Sequence, residues 1–420
     1  MGVVKISSFS FFLKKFKVLV FSFFMEFYKT KVDGVTVLFE KRKLPIVTIL
    51  VASKVGSAYE NNDNKGISHL LEHMVFKGTK TKTARQISSS IEKAGGILNG
   101  FTAEEITAFW CKVPSKKFSV GADVIFDIAI NPLLEKKELE KERKVVLNEI
   151  SRTYDIPQKY LLDKTKELLY KKPFGLSVLG TEKTVSKIGK KELEKWHSLY
   201  GKENLIVSVV GNADFDSIKE KVKGYFSKAK EKVRLKKPLI KKRSGCFTEK
   251  RDGIKQAHIA LGFHTFSLKE KGRYASEIFN AILGEGMSSR LFQEVREKRG
   301  LAYAITSYLE QEKSYGYVVA YAGTKKESVK EVREIILKEI KKMKEVSVKE
   351  IEEAKEQKIG NWQLELEACE KTATALAFQE IATKAEDFYD YERKILEVKP
   401  EEVRKIARIK NYSLAVILPK

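Results

Sequence analysis

His69-Leu70-Leu71-Glu72-His73 gathers two of the chain's five histidines into five residues, with a carboxylate between them. Residues three and four apart on an α-helix share a face, within about 60° of each other. A helix here therefore presents two imidazoles and one carboxylate together. The imidazoles can hold a metal ion, and the carboxylate can then act on a water at that ion. Chance is a weak rival: with 5 His and 56 acidic residues in 420, roughly 0.01 accidental copies of the pattern are expected. A polar helix face with two surface histidines is the plainer alternative.

A reactive metal site normally takes three protein ligands and leaves the fourth position open. Glu138 to Ile150 supplies candidates for the third. It lacks Gly and Pro, is rich in long side chains and carries apolar Val145, Val146 and Ile150, so it reads as a helix. Glu142 and Glu149, two turns apart, share a face of it. One can bind the metal while the other holds a ligand imidazole in its tautomer. Taken singly, each also reads as a solvated helix charge.

H-x-x-E-H inverts the order of the H-E-x-x-H zinc-peptidase motif. With a glutamate 76 residues beyond the second histidine, the constellation resembles the pitrilysin, insulysin and mitochondrial processing peptidase family in its short two-domain prokaryotic form. The resemblance implies one Zn2+ per chain on His69, His73 and Glu149. It implies Glu72 as the general base activating a zinc-bound water, and Glu142 as a second acidic residue beside the site. Asn148 departs from many relatives, which carry a second Glu there; the ligand at 149 is unaffected. The implied activity is that of a zinc metalloendopeptidase acting on peptides or unfolded segments.

The second half of the chain is similar to the same family by a separate route. Gly284-Glu-Gly-Met-Ser-Ser-Arg290-Leu-Phe292 is followed by Arg296-Glu-Lys-Arg-Gly300-Leu-Ala-Tyr303. The resemblance makes Arg296 and Tyr303 catalytic: a phenol can stabilise an oxyanion and a guanidinium can hold substrate backbone. Lys93-Ala-Gly-Gly96-Ile-Leu-Asn99-Gly-Phe-Thr102 leads into an apolar strand near Glu105–Val113. By resemblance, Gly96, Asn99 and Thr102 belong to a substrate-binding edge strand that pairs with an extended peptide backbone. An ordinary hairpin with a Gly-Gly turn is the alternative.

A faint internal duplication runs through the chain. Leu44–Ser53 aligns with Lys255–His264 at an offset of 211 residues, and Glu203–Asn212 closes the first half much as Asn411–Leu418 closes the second. At that offset His69, Glu72 and His73 fall on Asn280, Leu283 and Gly284, so the second copy keeps the helix and lacks the ligands. Short apolar strands alternate with longer amphipathic helices, which gives an α/β fold of α+β layers. The resemblance adds that each domain is a mainly antiparallel sheet packed with helices, the two enclosing a chamber. The expected organisation is a catalytic zinc-binding domain at 25–228, a basic linker at 229–250, and a degenerate repeat domain at 251–420 that completes the active site. The linker region, Lys228 to Arg243, holds nine Lys/Arg against one Glu.

Residues 1–24 form a basic then apolar extension: Lys5, Lys14, Lys15 and Lys17 precede Val18–Phe24. No small-x-small cleavage site follows, so a weak export signal or a start assigned too early are both open. The apolar run is too short to span a bilayer, and no stable transmembrane anchor is expected. Three widely spaced cysteines imply no disulfide framework, which favours a reducing, cytoplasmic location. The net charge of +24 comes from lysines interspersed with glutamates, without RNA-binding aromatic signatures, so no nucleic acid is expected. The pattern suits the charged surface of a heat-adapted protein. Expected partners are peptide substrates and a second subunit, in a homodimer or in a heterodimer with a related chain. The alternative function is a non-catalytic scaffold or partner subunit.

Overall fold

The computed structural model describes residues 26–227, 229–231 and 233–420; the N-terminal extension expected at 1–24 lies outside them. The first half runs β1 (Glu26–Val32), β2 (Val35–Lys41), β3 (Ile46–Ser53), α1 (Ile67–Val75), α2 (Ala84–Lys93), β4 (Ile97–Thr102) and β5 (Thr107–Pro114). It continues with α3 (Phe118–Ile130), α4 (Lys136–Asp155), α5 (Pro157–Leu169), α6 (Glu182–Val185), α7 (Lys190–His197), β6 (Leu205–Gly211) and α8 (Phe215–Phe226). The second half opens with β7 (Cys246–Arg251), β8 (Ala257–His264), α9 (Arg273–Gly284), β9 (Ala302–Gln311) and β10 (Gly316–Thr324). Helices α10 (Val329–Lys342), α11 (Val348–Glu365), α12 (Cys369–Ala382), α13 (Tyr391–Leu396) and α14 (Pro400–Ile406) follow, and β11 (Ser413–Pro419) ends the chain.

The duplication is visible element by element. At the 211-residue offset β3 falls on β8, while α3, α4 and α5 fall on α10, α11 and α12 to within two residues at each end. The sheets repeat each other as well: β2-β6-β3-β5-β4 in the first matches β7-β11-β8-β10-β9 in the second, with β1 added outside β2. In both, only the matching pair is parallel, β2 with β6 and β7 with β11; the other pairings are antiparallel. The expected α/β architecture of two similar, mainly antiparallel halves is the one observed.

The halves exchange a helix. Leu161 and Leu169 of α5, from the first half, pack with Ala260, Tyr317, Val319 and Ile417 of the second sheet. Ala373, Leu376 and Ala377 of α12, from the second half, pack with Leu38, Leu50, Ala52 and Ile206 of the first. Each sheet is thereby covered on both faces, which explains why a central strand such as β6 (Leu-Ile-Val-Ser-Val-Val-Gly) is buried throughout instead of alternating. Full burial of one leucine such as Leu376 contributes roughly 2–3 kcal/mol, and every such contact ties the two halves together. One boundary differs from expectation. The second sheet begins at Cys246 with β7, inside the stretch 229–250 read as linker. Its alternating exposure, half-polar at the sheet's edge, is what made Cys-Phe-Thr-Glu-Lys-Arg look like connecting chain.

Candidate active site

Helix α1 is set rigidly before it presents any chemistry. Gly66 caps it in a left-handed conformation, φ 96°, and a Cβ there would lie 2.6 Å from the Leu179 carbonyl oxygen. The buried Glu60 carboxylate accepts from the Gly66 and Ser68 backbone N–H groups at 2.9 and 2.8 Å, a negative charge on the positive end of the helix. Lys65 balances that charge at 3.2 Å. Leu70, Leu71, Met74 and Val75 fill the core, which turns His69, Glu72 and His73 to the other face. Helix α4 ends at Asp155, and Ile156 is extended because Pro157 follows. It buries Leu139 and Val146 and brings Glu142 and Glu149 against α1.

One ligand atom each from His69, His73 and Glu149 lies within 4.8 Å of the others. Both imidazoles present Nε2 to the same carboxylate oxygen, Glu149 Oε2, at 3.6 Å. His73 Nδ1 stands 3.2 Å from Glu142 Oε2. A carboxylate can only accept, so Nδ1 carries the proton and the Nε2 lone pair is left for a metal. Lys77 in turn meets Glu142 Oε1 at 2.9 Å. Burial, with the neighbouring His73 adding to it, pushes His69 down to about 3, so its imidazole stays neutral and able to ligate. Two imidazoles and a carboxylate with an open side are a zinc donor set, and the residues present fit that ion.

Glu72 lies on the same face and outside the triad. Burial raises its pKa, and a hydrogen bond from Thr102 Oγ1 at 2.9 Å opposes the rise. Of the expected substrate residues, Thr102 has its hydroxyl committed to Glu72. Gly96 serves packing: a Cβ there would stand 2.6 Å from Val113 Cγ1 and 2.7 Å from the Lys112 carbonyl oxygen. Asn99 is exposed on β4 and its Oδ1 accepts from the Gly100 N–H at 2.8 Å. β4 is the outermost strand of its sheet, paired with β5 alone.

Arg296 and Tyr303 are brought together. Arg296 Nη1 donates to the Tyr303 carbonyl oxygen at 3.0 Å, and its guanidinium lies 4.8 Å above the Tyr303 ring and 4.7 Å above that of Phe292. Tyr303 is 78% exposed. None of the contacts of this pair involves His69, Glu72, His73 or Glu149. The second half has replaced the ligands: Asn280, in the place of His69, accepts from Ser307 Oγ through Oδ1 at 2.7 Å, and Gly360 stands in the place of Glu149. The remaining histidines are hydrogen-bonded elsewhere, His197 to the Ala129 carbonyl, His258 to the Tyr321 hydroxyl and His264 to the Arg243 carbonyl.

Sequence reading missed Lys77 and the Thr102–Glu72 link. Lys77 stands four residues past His73, a spacing that could have signalled it; nothing in the sequence says which face of β4 looks at α1.

Residues 35–182 match the family described as Insulinase (Peptidase family M16), and residues 187–358 match the Peptidase M16 inactive domain. A protein of Rickettsia felis named an uncharacterized zinc protease is 36% identical over 291 residues, 69% of this chain and 69% of its own length. The chain belongs to peptidase family M16. A second M16 relative, from Bacillus subtilis and also named an uncharacterized zinc protease, is 36% identical over 285 residues, 67% of this chain and 69% of its own. In fold, a protease from Helicobacter pylori superposes with a TM-score of 0.87 at 24% identity, covering 94% of this chain and all of that one. A Pseudomonas fluorescens structure described as a peptidase M16 inactive domain gives 0.85 at 18% identity, covering 94% and 98%. Among the described residues, no helix is long and apolar enough to cross a membrane.

Proposed function

We propose that this M16 chain is a zinc-dependent endopeptidase holding one ion on His69, His73 and Glu149 and cutting peptides or unfolded segments. The observation that carries the reading is the convergence of those three ligating groups within 4.8 Å, with Glu72 on the same helix face. Bound zinc supplies a Lewis acid for the scissile carbonyl and lowers the pKa of water. Glu72 takes a proton from the attacking water and hands it to the leaving amine. Glu142 keeps His73 in the ligating tautomer. The free edge of β4 takes the substrate as an added strand, which only an extended, unfolded chain can supply.

The Arg296–Tyr303 pair is proposed to act in a homodimer, on the site of a second copy, where the phenol stabilises the oxyanion and the guanidinium holds substrate backbone. Its exposure and its lack of contact with the triad of its own chain support this. A heterodimer with a related subunit uses the same geometry. The non-catalytic scaffold reading finds support only in the second half, which lacks the ligands; packing alone gives no reason for the intact set in the first. The cysteines are free thiols, two of them buried, which suits the cytoplasm proposed here.

Mixing tests the arrangement. Glu72→Gln and Tyr303→Phe chains, each nearly inactive alone, should regain roughly a quarter of wild-type peptide turnover when co-refolded, because half of the dimers then hold one complete site. No recovery on mixing contradicts action between copies. A wild type that turns over no disordered peptide in the same assay contradicts the peptidase reading itself.

A further inference from the structure

Strand β4 has a different neighbour on each face. Alternation puts Leu98, Gly100 and Thr102 on the side of α1, and Asn99 and Phe101 on the other. On the α1 side, Thr102 Oγ1 makes the one hydrogen bond that the Glu72 carboxylate receives among the described residues. Two positions earlier, a Cβ at Gly100 would stand 3.1 Å from Glu72 Oε1 and 3.1 Å from the Phe76 ring. The strand therefore holds one oxygen through Thr102 and keeps the other clear, because position 100 carries no side chain. On the opposite face, Phe101 stacks on Phe378 of α12, with ring centroids 5.8 Å apart and planes 6° from parallel, so the second half braces the strand that faces the base.

We propose that Thr102 is a positioning residue for Glu72, and that the strand offered to substrate is also the part that aims the base. The proposal rests on the peptidase reading. A glutamate has three side-chain torsions and samples several rotamers unless something fixes its end. Nothing on α1 itself does so: His69 and His73 turn to Glu149, and no residue of the helix hydrogen-bonds the Glu72 side chain. Thr102 supplies the missing anchor, and the absence of a side chain at Gly100 leaves the carboxylate room to reach it. A base displaced by about 1 Å from a proton it must take can lose on the order of 100-fold in rate. A peptide paired along β4 joins the strand that already holds the base through Thr102. Substrate and base are then aligned by one element.

The test compares wild type, Thr102→Val and Thr102→Ser on one disordered peptide, with zinc content and melting temperature for each and a crystal structure of metal-free Thr102→Val. Valine keeps the branched shape that suits a strand and removes the donor; serine keeps the donor. Thr102→Val should lose roughly 10- to 100-fold in kcat, with KM within about 2-fold and zinc and melting temperature unchanged, while Thr102→Ser stays within about 3-fold of wild type. In the metal-free crystal the Glu72 carboxylate should leave its present position. The proposal is overturned if Thr102→Val keeps wild-type kcat, if Thr102→Ser falls as far as Thr102→Val, or if the loss appears as a lowered melting temperature instead. An inactive wild type removes the peptidase reading and this proposal together; an active wild type beside an unimpaired Thr102→Val removes this proposal alone.

Discussion

Glu72→Gln is expected to lower kcat on a disordered peptide by about 10³-fold or more while zinc content stays that of the wild type, because general-base catalysis contributes about 10²–10⁴-fold. The two properties separate because Glu72 stands outside the group of His69, His73 and Glu149, which could hold the ion. Glutamine has the same length, and its carbonyl oxygen can still accept from Thr102 Oγ1, which now reaches Glu72 Oε2 at 2.9 Å. The substitution therefore preserves shape and packing and removes only the capacity to take a proton. Steady-state turnover together with a metal count by atomic absorption checks it. A mutant that keeps more than a tenth of wild-type kcat, or that loses its zinc, would show that Glu72 has a different role.

His73→Ala and Glu149→Ala should each cost the metal itself. Both ligand imidazoles meet Glu149 Oε2 at 3.6 Å, so removing the carboxylate leaves two nitrogens without the third donor, and removing His73 leaves one of each. Zinc affinity should fall by at least about 100-fold, beyond the ~10–100-fold typical of losing a residue that only supports a ligand. Glu142→Gln belongs to that milder class, since it loosens His73 Nδ1 without removing a donor atom. Competition for zinc against a chelator of known affinity measures the series, with circular dichroism confirming that each variant is folded. Equal affinity in Glu149→Ala and wild type would remove Glu149 from the ligand set.

The spacing of His69, Glu72 and His73 made their shared face legible, because a helical period is a property of the sequence alone. The third ligand was legible only as one of two glutamates on one helix face. The choice between Glu142 and Glu149 depends on how α4 lies against α1, and resemblance supplied what periodicity could not. The duplication was legible in β3 and β8, whose apolar runs align without gaps. The exchange of α5 and α12 was not: an amphipathic pattern says that a helix buries a face, not which sheet it covers. β7 was hidden because an edge strand with one polar side resembles the basic chain that precedes it. The link from Thr102 to Glu72 was hidden for a related reason. Alternation groups Thr102 with Leu98 and Gly100, and only packing shows that this group faces Glu72. Arg296 and Tyr303 were legible as a pair, and the structure keeps them one, with Tyr303 exposed on the surface.

The most direct measurement is the zinc content of the purified wild type alongside its hydrolysis of a quenched-fluorescent disordered peptide, before chelation, after it, and after zinc is returned. The His69, His73 and Glu149 site predicts about one zinc per chain, cleavage that stops when the ion is removed, and recovery when it is restored. A folded protein that binds no zinc, or cleavage that continues unchanged without it, would contradict the account.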